Sequence, residues 1–102
     1  MSTPSFRFTK PLNRPIRHWS EQRVWIIGAS SGIGAALAEA LLARGASVIM
    51  SARRAERLEE IAKQHDKAIP LTLDVADANS WHQAMEALRD QIDRIDLVVF
   101  CA

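Results

Sequence analysis

The run Val24-Trp25-Ile26-Ile27-Gly28-Ala29-Ser30-Ser31-Gly32-Ile33-Gly34 changes character twice. It begins as an apolar, β-branched and aromatic segment, the composition of a central parallel strand covered on both faces. At Gly28 the chain must leave that strand sharply, and a residue without Cβ tolerates the positive φ such a turn needs. The opening of an amphipathic helix follows. Gly32 lets the backbone approach a ligand with no side chain in between, and Gly34 lets the helix start pack close to the sheet. The unpaired N–H groups of a first helical turn, with the macrodipole behind them, suit an anion such as a pyrophosphate. An αβ turn that binds nothing is the competing reading. The strand on one side and the helix on the other favour the phosphate site.

Working outward, strand and helix patterns alternate. The first strand is expected over 23–27. A helix is expected over 33–44, with Ile33, Leu37, Ala40 and Leu41 on one stripe, Glu39 and Arg44 off it, and Gly45 as its C-terminal cap. Its small residues Ala35, Ala36 and Ala38 allow close approach to a sheet. A second buried strand, 47–51, leads through Ala52-Arg53-Arg54 to a helix over 55–65, with Leu58, Ile61 and Ala62 inward. The third strand spans 68–73. Asp77 is a candidate N-cap for a third helix reaching Gln91, with Trp81, Met85, Leu88 and Ile92 on its apolar side. Residues 97–101 form a fourth apolar strand. The β-α-β-α-β-α-β order with right-handed crossovers requires an α/β fold: a doubly wound parallel sheet, strand order 3-2-1-4, with helices on both faces. A ligand then belongs at the switch point where strands 1 and 4 part, above Gly28.

At these residues the chain resembles the short-chain dehydrogenase/reductase family, whose fingerprint is T-G-x-x-x-G-[IL]-G. Gly28, Ser30, Ser31, Gly32, Ile33 and Gly34 match it, while Ile27 stands where the family often has threonine. The resemblance covers residues 23–102 and implies a Rossmann-type domain binding a nicotinamide dinucleotide. NAD-preferring members commonly end the second strand with an aspartate that accepts hydrogen bonds from the adenosine ribose. Ala52 stands there in this chain, and Arg53 follows with a planar fork of donors suited to a 2′-phosphate. NADP(H) is therefore expected over NAD(H), with Arg54 as a second candidate and Ser30 as possible help. Ser31 occupies a position where some NADP-binding members carry a basic residue, so the preference rests mainly on Arg53. A solvated loop is the other reading of the two arginines.

Asp74-Val75 matches the family's Asp-Val after the third strand, which implies a carboxylate on the adenine amino group and a backbone N–H near the ring. A plain Asx-turn is its alternative role. Residues 96–102 resemble the family's D-h-h-h-N-N-A-G segment, with Phe100 and Cys101 in place of the asparagines. A thiol donates weakly and cannot brace strands as an amide does. Cofactor contact through the backbone near Cys101 and Ala102 survives that change. The family's catalytic tyrosine has no counterpart, because the chain contains no tyrosine. The catalytic serine, tyrosine and lysine, and the helices used for dimers, are thus expected beyond Ala102, with no catalytic residue in the chain itself.

At 102 residues and a formal net charge of +1, the chain carries no global basic or acidic signal for nucleic acid or an anionic membrane. Its longest apolar runs fall well short of the roughly 20 residues a membrane helix needs. Residues 1–22 hold Pro4, Pro11 and Pro15 among Arg, Lys, Ser and Thr, and are expected to be an irregular basic arm from which Ile16 and Trp19 fold back. A single cysteine fits a reducing compartment, and cytoplasm is the expected location. His18, His65 and His82 lack the spacing and partners of a metal site. The leading expectation is the cofactor-binding part of an NADP(H)-dependent oxidoreductase, acting on a small carbonyl or alcohol and homo-oligomeric at full length. The alternative is a non-catalytic nucleotide-binding or interaction module. The extended branch of epimerases and dehydratases is disfavoured by its different spacing, G-x-x-G-x-x-G.

Overall fold

The computed structural model describes residues 18–30, 32–54 and 56–101. Apolar runs become strands β1 (Arg23–Ile27), β2 (Ser47–Ala52), β3 (Ala68–Thr72) and β4 (Leu97–Phe100). Amphipathic runs between them become helices α1 (Gly32–Ala43), α2 (Glu56–Gln64) and α3 (Ala78–Arg89). All strand pairs are parallel, and the sheet order is β3-β2-β1-β4, as the crossover rule predicted. Register sets Ile27 beside both Ser51 and Phe100, so the C-terminal strand ends lie level. Pro70 sits in β3, an outer strand, where a missing N–H is tolerated.

Strand side chains alternate between two cores. Val24, Ile26, Val48 and Met50 pack with Ala35, Ala38 and Leu41 of α1 and Leu58 and Ile61 of α2. Trp25, Ile27, Ile49 and Leu71 pack with Ala84 and Leu88 of α3. Each fully buried aliphatic side chain contributes about 1.5–3 kcal/mol of transfer free energy. Burial on both faces explains why β1 and β2 lack the polar alternation of a half-exposed strand.

The inward face of α1 differs from the expected stripe. Gly34, Ala35, Ala38, Leu41 and Leu42 are buried, whereas Ile33 is 79 % exposed and Ala40 is exposed. The cause is proximity. A Cβ at Gly34 would overlap the Gly28 carbonyl oxygen, so α1 starts in backbone contact with the turn and presents its small side to the sheet. In α3 the buried pair is Ala84 and Leu88, while Met85 is 49 % exposed and Trp81 is half-buried. Element ends fall within one or two residues of the expected positions. Gly45 (φ 91°) closes α1, where the Gly45 and Ala46 amides donate to the Leu42 and Leu41 carbonyls at 2.9 and 3.1 Å.

Of the expected arm, residues 1–17, including Ile16, lie outside the described residues. Trp19–Glu21 form one 3-10 turn, and Trp19 packs half-buried against the α1 side of the core. Among the described residues, no helix is long and apolar enough to cross a membrane.

Candidate functional site

The level ends of the four strands frame a cleft of about 450 Å³. Its lining draws on every strand: Ile27 and Gly28 after β1, Ala52 and Arg53 at β2, Leu73 to Ala76 after β3, and Phe100 and Cys101 at β4. Ser30 completes the side nearest α1. The structure thus gathers Gly28, Ser30, Arg53, Asp74, Val75 and Cys101 around one space, though they lie far apart in sequence. Gly32, Ile33 and Gly34 form the first turn of α1 and do not line the cleft wall. Arg54 is exposed and also outside the lining. Ser31 and Ala102, the remaining candidates, lie outside the described residues.

The turn geometry follows from its glycines. Gly28 has φ 94°, and a Cβ there would overlap the Cys101 carbonyl oxygen. β4 and the turn meet this closely because the Cys101 amide donates to the Ile27 carbonyl at 2.8 Å. On the other side, the Gly28 and Ala29 amides both donate to the Ser51 carbonyl, at 2.7 and 3.1 Å. The turn is therefore strapped to β2. Around the position of a Cβ at Gly32, apart from its chain neighbours and the helix's own backbone, no atom of the described residues lies within 4 Å, so there is open space beside that backbone.

The far side of the cleft is held by α3. The Leu73 amide donates to the Ala52 carbonyl at 3.0 Å, after which the chain leaves the sheet. The Asp74 amide donates to Ser80 Oγ at 2.8 Å, and Asp74 Oδ1 accepts from the Ala76 amide at 3.1 Å. That second bond is the Asx-turn, so the alternative role of Asp74 is present; its place in the lining leaves the other role open. Trp81 Nε1 donates to the Val75 carbonyl at 2.9 Å. Ser80 and Trp81 were not singled out for the site from sequence, since Trp81 fits the apolar stripe of α3. The available signal was chemical: a half-buried indole carries an N–H that needs a partner. Charge in the lining comes from Arg53 and Asp74, one of each sign, flanking a mainly apolar hollow. Such an arrangement suits a largely apolar ligand that carries an anionic group at the β2 side and a hydrogen-bond donor at the β3 side. Among the described residues, no group of three or more His, Cys, Asp or Glu is arranged to hold a metal ion.

A family model described as short chain dehydrogenase matches residues 22–102. The chain is 40 % identical over 80 residues to oxidoreductase BOA17 of Botryotinia fuckeliana, covering 76 % of this chain and 29 % of that protein. It is 43 % identical over 77 residues to a probable NADP-dependent dehydrogenase of Dichelobacter nodosus, covering 74 % of this chain and 73 % of that one. Among solved structures, a short chain dehydrogenase from Bacillus anthracis superposes with a TM-score of 0.75 at 27 % identity, over 84 % of this chain and 36 % of the other. The chain thus spans less than a third of the length of the fungal relative.

Proposed function

Because this chain belongs to the short chain dehydrogenase family, we propose that it is the nucleotide-binding part of an NADP(H)-dependent oxidoreductase. The single observation carrying the reading is the cleft itself. The glycine turn, Arg53 and the Asp74-Val75 loop come from three separate connections and face one space. On this reading Gly28, Ser30, Ser31, Gly32, Ile33 and Gly34 cradle the pyrophosphate at the start of α1. Fit to that group is supported by the open space beside Gly32, which a side chain would fill.

Arg53, with Arg54 beside it, takes the 2′-phosphate, and Ala52 offers no carboxylate to repel it. The NADP-dependent designation of the Dichelobacter relative supports the same preference. Asp74 takes the adenine amino group, and the Val75 backbone lies along the ring. Backbone atoms at Cys101 and Ala102 border the nicotinamide side. The bound nicotinamide supplies hydride transfer to or from a small carbonyl or alcohol substrate. These residues bind and orient it, and residues outside this chain complete the chemistry in a homo-oligomeric, cytoplasmic enzyme. Against a self-sufficient binding module stand Val98 and Phe100 of β4, 53 % and 60 % exposed on an outer strand, an apolar surface suited to cover by further chain.

The test compares NADPH and NADH affinity in the full-length protein and its Arg53→Ala variant. Wild type is expected to prefer NADPH, and the variant to lose about tenfold or more of that preference while NADH affinity holds. Unchanged discrimination would remove Arg53 from the reading, and binding of neither nucleotide would remove the reading.

A further inference from the structure

We propose that Trp81 is a positioning residue for the base end of the cleft: through one peptide group it fixes the Asp74 carboxylate that meets the base. The proposal rests on the dinucleotide reading given above.

The argument starts from the short loop between β3 and α3. Its peptide groups are tied down in succession. The Leu73–Asp74 peptide gives its N–H to Ser80 Oγ at 2.8 Å. The carbonyl of the Asp74–Val75 peptide accepts from the Asp77 amide at 3.0 Å. The Val75–Ala76 peptide is held at both ends: its carbonyl accepts from Trp81 Nε1 at 2.9 Å, and its N–H donates to Asp74 Oδ1 at 3.1 Å. A peptide group is rigid and planar, so fixing its carbonyl fixes the direction of its N–H. Trp81 therefore sets the plane, and the plane sets the carboxylate. Without the indole N–H, this exposed peptide keeps only its bond to Asp74, so peptide and carboxylate can turn together and Asp74 loses its fixed reference.

Trp81 is itself well anchored. Its ring meets Trp25 edge to face, with centroids 5.9 Å apart and planes at 66°. Trp25 is buried in β1, and its own Nε1 donates to Ser51 Oγ at 2.8 Å. The carbonyl of the same Ser51 accepts the Gly28 and Ala29 amides that shape the glycine turn. The two tryptophans thus link Ser51, whose carbonyl holds the glycine turn, to the Val75 carbonyl in the loop after β3, so the loop is held relative to the turn and less ordering is left to the ligand.

The experiment measures affinities of the full-length protein for NADPH and for its deamino analogue, in which a carbonyl replaces the adenine amino group. Wild type is expected to favour NADPH, because a carboxylate accepts from an amino group and meets a carbonyl oxygen unfavourably. Trp81→Phe keeps an aromatic ring beside Trp25 and removes the N–H together with part of the ring area. It is expected to lower NADPH affinity about threefold to tenfold and to bring the ratio between the two nucleotides close to one. A merely structural role would weaken both nucleotides equally and leave the ratio intact, which would overturn the proposal. Trp81→Met, which also lacks the N–H, is the second variant: it should shift the ratio the same way and decides the matter if Trp81→Phe does not fold. A wild type with no preference between the nucleotides also overturns the proposal. A wild type binding neither NADPH nor NADH overturns the dinucleotide reading beneath it. Normal binding with an unmoved ratio overturns the role of Trp81 alone.

Discussion

Gly28 and Gly32 serve the same turn for opposite reasons, and substitutions separate them. At Gly28 alanine meets both a positive φ and the Cys101 carbonyl, a backbone atom that cannot swing aside. The backbone conformation alone costs about 1–2 kcal/mol, and displacement of β4 adds to it. Gly28→Ala is therefore expected to lower the urea midpoint strongly, read by circular dichroism. At Gly32 a methyl group meets no atom of the described residues within 4 Å beyond its own helix and chain neighbours, and alanine gains up to about 1 kcal/mol over glycine within a helix. Gly32→Ala is expected to hold or raise Tm while weakening nucleotide binding by about tenfold or more, since the methyl would enter the space proposed for the phosphate. Full binding by Gly32→Ala, measured calorimetrically, would move the anion away from that backbone. Gly28 was legible in the sequence because its constraint is steric and local. Ser80 and Trp81 were not, because what they hold is the backbone of the loop before α3, one accepting from an amide and the other donating to a carbonyl, and no residue pattern records such bonds.

At the scale of the element, strands were easier to read than helix faces. A strand buried on both sides needs only a continuous apolar run, which β1 and β2 supply; β4 is as apolar but has Val98 and Phe100 exposed. Choosing the inward side of a helix by size fails where the helix lies close to the sheet. Contact there is made by Gly34, Ala35 and Ala38, and the larger Ile33 is turned out. The start of α3 was legible through its cap: Asp77 is extended (φ −112°) and its carboxylate accepts from the Asn79 amide at 2.9 Å. Asp77→Ala is expected to cost about 0.5–2 kcal/mol. The measurement is urea unfolding with an unchanged m-value, since the backbone bond from Asp77 to Asp74 remains available. A cost near zero would mean that water replaces the cap without loss.

For the molecule as a whole, sheet order followed from chain direction and crossover hand, but the tie across the N-terminal ends of the strands did not, because Asp96 reads only as the start of the D-h-h-h-N-N-A-G segment and nothing in the sequence pairs it with Arg94 or with the backbone of β1. Asp96 accepts from the Arg23 amide at 2.8 Å with one oxygen and from Arg94 Nε at 2.9 Å with the other. Arg94 Nη2 also donates to the Glu21 carbonyl at 2.8 Å, so one carboxylate joins the 3-10 turn, β1 and the approach to β4. The Arg23 backbone N–H, opposed in part by desolvation and assisted by Arg94, holds the Asp96 carboxyl below the usual aspartate range. The folded state therefore binds this proton less tightly than the unfolded state. It follows that the contribution is complete above the unfolded value, about 3.9, and is lost as pH falls through the lower folded value. Asp96→Asn should unfold at lower temperature than wild type near neutrality, and the gap should narrow as the pH drops below about 4. Tm measured from acid to neutral pH checks this, and a gap of constant size would show that the charge contributes nothing. Nucleotide affinity should be unchanged in the same variant, since Asp96 lies beside Arg23 at the start of β1 and the cleft opens beyond Ile27 at its end. Loss of binding along with stability would mean that the clamp and the cleft share one cooperative unit.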